Sequence, residues 1–166
     1  MGGVAPADQG RGRLSQPAFP RILVTVAGHH VDEETVRLAC RMATRARGDA
    51  KEPAQLYAVH VIEVNRSLPL SAPVESQVER GEEILDAVEQ IAAEHNLTIE
   101  TEMVQARDTG PAIVGEAEAW KATVIVMGLP YKRRFGEFNL GKTAPYVLKN
   151  ASCRVILFRE RLEESS

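Results

Sequence analysis

The stretch Val124–Val147, VIVMGLPYKRRFGEFNLGKTAPYV, decides how the chain is read. Val124–Met127 is a short apolar, mostly β-branched run, which marks a strand covered on both faces. It ends at Gly128. The loop that follows carries the cations Lys132, Arg133 and Arg134 and the aromatics Tyr131, Phe135 and Phe138. Gly141-Lys142-Thr143 then opens a short helical segment. A buried strand, a glycine, and a second glycine with a hydroxyl residue at a helix start are the parts of a phosphate-binding turn. Glycine lets the backbone approach a ligand closely, and free helix N–H groups face the anion. Gly128, Arg133, Gly141, Lys142 and Thr143 are therefore candidate ligand residues.

Two glycine spacings compete within this stretch. Gly136–Thr143 spells G-x-x-x-x-G-K-T, the P-loop string of a small NTPase. A P-loop leaves its strand directly, whereas Gly128–Phe135, eight residues, separate Met127 from Gly136. The other spacing pairs Gly128 with Gly141. Beside both stands the plain reading of a solvated basic loop between a strand and a helix.

A chain of 166 residues suits one domain with a substantial core. Its net charge of −3 argues against general affinity for nucleic acid or anionic membrane, so the basic loop is a local feature. Cys40 and Cys153 have no metal-ligand spacing and give no disulfide framework; they read as buried thiols in a reducing compartment. No apolar run approaches the roughly 18–20 residues that span a bilayer, and Met1–Pro20 lacks the apolar core of a secretory signal. The expected location is cytoplasmic, without direct membrane insertion.

Outward from the central stretch, strands and helices alternate. Met1–Pro20, rich in Gly, Pro, Ala and Gln, is expected to be a disordered tail. Arg21–Val26 reads as a doubly covered strand. Ala27–His30 is its loop. Asp32 is the expected N-cap of a helix with Arg41, Arg45 and Arg47 toward its C-terminal end and Gly48 as its stop. Gln55–Val64 is a second strand, Val74–Asn96 has helical spacing, and Thr98–Gln105 alternates like a strand near a sheet edge. Asp108–Pro111 starts a helix that runs to Lys121. A helix over Thr143–Asn150 and a strand over Arg154–Phe158 follow, and 160–166 is a charged tail. This order predicts an α/β doubly wound parallel sheet with right-handed crossovers. Ligands of such sheets bind beyond the strand C-termini at a topological switch point. If the first and fourth strands are neighbours, the loop Ala27–His30, with Gly28, converges with Gly128–Thr143.

From Arg21 to Phe158 the chain resembles the universal stress protein family. The carriers are ILVTVAGH (Ile22–His29), AVHVIE (Ala58–Glu63), DTGPAIVGEA (Asp108–Ala117), and above all VIVMG…LG…YVLKNASCRVIL (Val124–Leu157). The resemblance implies a flavodoxin-like fold over 21–159, with five parallel strands in the order 3-2-1-4-5 and helices on both faces. It implies a homodimer through the last strand, Arg154–Phe158. In one branch of the family it also implies ATP or a related adenine nucleotide held by a G-x-x-G-x9-G-[S/T] pattern. With no nucleophile–base pair, no carboxylate pair near the glycines and no motif for a metal-activated water, the expectation is a regulatory protein rather than an enzyme. Here Gly128 takes the first glycine position, Tyr131 stands at the second, Gly141 at the third, and Lys142 precedes the hydroxyl of Thr143. The acid that the family often carries at the end of strand one is Ala27. Lys142, Arg133 or Arg134 would supply compensating phosphate contacts, and Tyr131 or Phe135 a stacking surface for a base. Arg134–Phe138 with Lys142–Tyr146 resembles the variant attached to amino-acid permeases, which implies a membrane transporter, or another protein, as partner. The alternative is a nucleotide-free dimeric interaction module of the same fold.

Other residues have plainer readings. His29 and His30 lack companions at metal-ligand spacing. His60 reads as a packed strand histidine, Trp120 as core, and Cys153 as structural. An apolar last strand at a sheet edge invites pairing with a second copy.

Overall fold

The computed structural model describes residues 19–45, 54–72 and 74–162. The expectations for most of the N-terminal tail, for the helix stop at Gly48 and for 163–166 lie outside the described residues. In chain order the elements are β1 (Arg21–Thr25), α1 (Val31–Arg45), β2 (Gln55–Glu63), α2 (Glu75–Glu94), β3 (Ile99–Ala106), α3 (Thr109–Trp120), β4 (Val124–Leu129), β5 (Arg133–Arg134), β6 (Glu137–Phe138), α4 (Thr143–Asn150) and β7 (Arg154–Arg159). Five strands form one parallel sheet in the order β3-β2-β1-β4-β7. This is the flavodoxin-like order expected, with β7 as the fifth strand.

The alternation of side chains along each strand explains the two layers of helices. In β1 and β4, Ile22, Val24, Val124 and Val126 pack with Val36, Ala39 and Cys40 of α1 and Leu85 and Val88 of α2. Leu23, Ile125 and Met127 point the other way, into Ile113, Val114 and Ala117 of α3 and Ala144 and Val147 of α4. Successive strand residues face opposite sides, so a strand buried on both must be apolar at every position. Ile22, Leu23 and Val24 are all fully buried, and each contributes about 1.5–3 kcal/mol. At the edge, β3 runs Ile99 buried, Glu100 exposed, Thr101 half-buried and Glu102 exposed, the wetter pattern its sequence predicts. The other edge is β7, whose Val155–Phe158 are half-buried.

Two local expectations are corrected. Asp32 is not an N-cap: α1 begins at Val31, and the Asp32 carboxylate turns back to accept the N–H groups of Ala27 (2.9 Å) and Gly28 (2.7 Å). It therefore clasps the β1–α1 loop instead of capping the helix. The segment after β4 is not an open loop but a two-stranded antiparallel ribbon, pairing Arg133 with Phe138 and Arg134 with Glu137. Its turn residues Phe135 and Gly136 both have positive φ (53° and 79°), the signature of a two-residue type I′ hairpin. Gly136 thus sits at a ribbon tip and Glu137–Phe138 in a strand, so the string Gly136–Thr143 does not form a P-loop cradle.

The single-residue expectations for His60 and Trp120 hold. His60 Nδ1 lies 2.9 Å from the Val26 carbonyl inside the fold. Trp120 stacks on Tyr57 with ring centroids 5.0 Å apart, and the Arg21 guanidinium lies 4.0 Å above it.

Candidate functional site

Because β1 and β4 are neighbours while their crossovers leave in opposite directions, the loops at their C-terminal ends diverge and leave a crevice between them. There the structure holds a cleft of about 600 Å³. Its floor is apolar, from Val59 and Val61 of β2, Ile113 of α3 and Met127 of β4. Its rim is cationic: Lys132, Arg133 and Arg134 come from the ribbon and Lys142 from the start of α4, against Glu63 as the one lining carboxylate among the described residues. A cavity with an apolar floor and a cationic rim suits a ligand with a flat apolar part and an anionic part.

Five of the six residues expected from the sequence meet here: Gly128, Arg133, Gly141, Lys142 and Thr143 all line the cleft. Gly28 does not. Its N–H is taken by Asp32, its φ is +87°, and it faces a second groove between α1 and α2, beside Arg80 and Ile84. The residues on either side of it, Ala27 and His29, reach the cleft instead.

Gly128 lines the cleft, yet the close approach that excludes a side chain comes from the protein. A Cβ at this position would overlap the Thr35 hydroxyl and lie 3.2 Å from Val31 Cγ1 on α1. Gly141 is different. It has φ +70°, open space where a Cβ would go, and an N–H that donates to Asn139 Oδ1 at 2.6 Å.

The aromatics are also redistributed. Tyr131 does not line the cleft. Its ring stacks on Phe138 (centroids 5.1 Å, planes at 12°), with the Arg133 and Arg159 guanidinium groups 5.7 and 5.5 Å from its centroid. Its N–H donates to Glu160 Oε1 at 2.6 Å, and Glu160 also pairs with His30. Tyr131 therefore fastens the base of the ribbon to the end of β7. Phe135, at the ribbon tip, is 93% exposed and lies outside the cleft. Phe138 is the aromatic that lines it.

Three residues of the site escaped sequence reasoning. Glu63 Oε1 accepts the N–H (3.0 Å) and hydroxyl (2.8 Å) of Thr109, doing at the start of α3 what Asp108, without a side-chain cap bond, does not. Lys142 Nζ lies 3.7 Å from Glu63 Oε1 and 3.6 Å from Asp108 Oδ1. Glu63, Asp108 and Thr109 end or follow strands two and three; they lie in the segments Ala58–Glu63 and Asp108–Ala117 that carry the family resemblance, but nothing in those segments marks them as ligand residues. Burial, and then the neighbouring Lys132 cation, lowers the His29 imidazole below its ordinary value, so at neutral pH it faces the cleft uncharged.

Fold and cleft together define the class: a flavodoxin-like α/β domain with a cationic cleft at the β1/β4 switch point. The sequence profile described as the universal stress protein family matches residues 18–159, and the chain belongs to that family. A universal stress protein of Methanocaldococcus jannaschii is 29% identical over 158 residues, which cover 92% of this chain and 89% of that protein. Among solved structures, universal stress protein UspA from Lactobacillus plantarum superposes with a TM-score of 0.66 at 24% identity, covering 84% of this chain and 97% of that one. The universal stress protein from Archaeoglobus fulgidus in complex with dAMP gives 0.61 at 20% identity, covering 85% and 98%. A universal stress protein in complex with cAMP gives 0.58 at 19%, covering 84% and 96%.

Proposed function

We propose that this protein binds an adenine nucleotide, ATP or a relative, in the cleft at the ends of β1 and β4. Occupancy is then a signal passed to a partner, without a turnover step. The observation that carries this reading is the cleft's polarity: four cations on the rim over a floor of Val59, Val61, Ile113 and Met127. The base takes the floor. Lys142, Thr143 and the N–H groups opening α4 take phosphate at the positive end of a helix, with Arg133 as a bidentate donor. The solved relatives described with dAMP and cAMP support an adenine ligand. Half-buried Val155–Phe158 on edge strand β7 support a homodimer that presents two clefts. The partner is a cytoplasmic protein or the cytoplasmic face of a membrane transporter; no described helix is long and apolar enough to cross a membrane.

Specific bonds favour a second reading, a nucleotide-free interaction module. The N–H groups of Ala27 and Gly28 are already held by Asp32, and that of Gly141 by Asn139. A phosphate would have to displace the Asn139 bond. To decide, freshly purified protein is denatured and the released small molecules are separated by chromatography. A stoichiometric adenine nucleotide supports the first reading. None released, and no binding by the emptied protein at millimolar ATP, leaves the second.

A further inference from the structure

We infer that Glu63 is the specificity-determining residue of the cleft and reads a sugar hydroxyl, so that the site selects ribonucleotides over deoxynucleotides. This rests on the nucleotide reading above and goes beyond it by naming the group that discriminates. Glu63 is the one carboxylate among the described residues that line an otherwise cationic rim. Electrostatics alone would disfavour an acid where phosphates bind; its bonds to Thr109 account for one oxygen, and the other can meet a ligand group that donates hydrogen bonds. The carboxylate is oriented before any ligand arrives: both Thr109 bonds and the Lys142 approach fall on Oε1. Oε2 therefore has no protein donor among the described residues, and it belongs to a side chain that lines the cleft.

The Lys142 ammonium fixes which ligand group meets that oxygen. Nζ lies 3.7 Å from the Glu63 carboxylate and 3.6 Å from that of Asp108, on an exposed side chain, so a phosphate that pairs with it in this position lies next to Glu63. A group bonded to Glu63 thus sits beside the phosphate held at Lys142. In a nucleotide, the part next to the phosphates is the sugar, and its donors are the 2′ and 3′ hydroxyls. A carboxylate accepting a ribose hydroxyl is a charge-assisted bond that a deoxy sugar cannot make.

The test is calorimetric titration of the emptied protein with ATP, 2′-deoxy-ATP and 3′-deoxy-ATP, on the native chain and on Glu63→Gln. Glutamine keeps the shape and can still accept from Thr109, and circular dichroism confirms that the variant is folded. The native protein is expected to bind ATP about tenfold or more tighter than at least one deoxy form, one charge-assisted hydrogen bond's worth. Glu63→Gln should bring that ratio to about threefold or less, whatever the loss of its charge does to the affinity for all three nucleotides together. If the native protein binds all three equally, Glu63 reads no hydroxyl and the inference is overturned while nucleotide binding stands. A preference that persists undiminished in Glu63→Gln also overturns it. If the native protein binds none of the three, the nucleotide reading itself falls. The native comparison needs no variant and holds even if the substitution unfolds the chain.

Discussion

Gly128 offers the sharpest separation between packing and ligand binding. The sequence makes it a phosphate-loop glycine; the structure makes it a seat for α1. In Gly128→Ala the new methyl overlaps the hydroxyl of Thr35, a residue with no exposed surface that is tethered by its bond to the Val31 carbonyl at 2.8 Å. It also crowds Val31 Cγ1 at 3.2 Å. Neither neighbour is the far end of a flexible chain, so α1 must shift or Thr35 must leave its rotamer. Overpacking of this kind costs about 1–3 kcal/mol. For a chain of this size each kcal/mol lowers Tm by about 2–4 °C. Urea unfolding followed by circular dichroism should show a lower midpoint with an unchanged slope. Thr35→Ala removes the clashing atom, so the double variant should recover most of the loss, with a coupling of about 1 kcal/mol or more. Nucleotide affinity of the folded Gly128→Ala protein should stay within about threefold of native, since less than about 0.7 kcal/mol is then at stake in binding. A variant as stable as the native protein, or a double variant whose losses simply add, would refute the packing account.

Other substitutions probe the rim and the ribbon. Lys142→Ala should weaken ATP binding about tenfold in calorimetry, yet change stability by less than about 1 kcal/mol, since its pairs with Glu63 and Asp108 are long and exposed. Gly141→Val should lose both about 1–2 kcal/mol of stability and most of the affinity, because φ +70° is strained for a β-branched residue even with open space around it. Phe135→Asn places a favoured residue at a type I′ position of φ 53°; relief of about 1 kcal/mol should slow hydrogen exchange about fivefold at the Asn139 N–H, which bonds Lys132 O across the ribbon. His29, whose folded-state value lies below 6.5, stabilises the fold fully above that pH and loses the contribution as pH falls through the lowered value. His29→Gln should therefore flatten the loss of urea midpoint on acidification below pH 6.5.

The sheet was legible because its signal is redundant. Ile22–Val24 and Val124–Val126 are apolar at every position, which only a doubly covered strand tolerates, and the alternation of strands and helices leaves few topologies. The rim was legible for the same kind of reason: Gly141, Lys142 and Thr143 are local in sequence and open one helix. What stayed hidden depends on tertiary contact. Asp32 looks like an N-cap by spacing, but the loop curls so that its carboxylate reaches two amides behind it. Gly28 carries the positive φ of that same curl and is spent on it. The ribbon was missed because Phe-Gly is not a common type I′ pair, and the contacts that support so short a hairpin, the Tyr131–Phe138 stack and the Asn139–Lys132 backbone bond, form only in the fold. Glu63 closes the segment Ala58–Glu63 without any local sign of a ligand role; its importance lies in Thr109, 46 residues away, and in Lys142.

Titration of the isotopically labelled protein with ATP, followed by amide NMR, decides whether the β1/β4 cleft binds nucleotide, because it reads location as well as affinity. Saturable shifts are expected at Leu129, Lys132, Gly141, Lys142 and Thr143, with the α1–α2 groove around Arg80 and Ile84 unmoved. Shifts confined to that groove, or none at millimolar ATP, would contradict it.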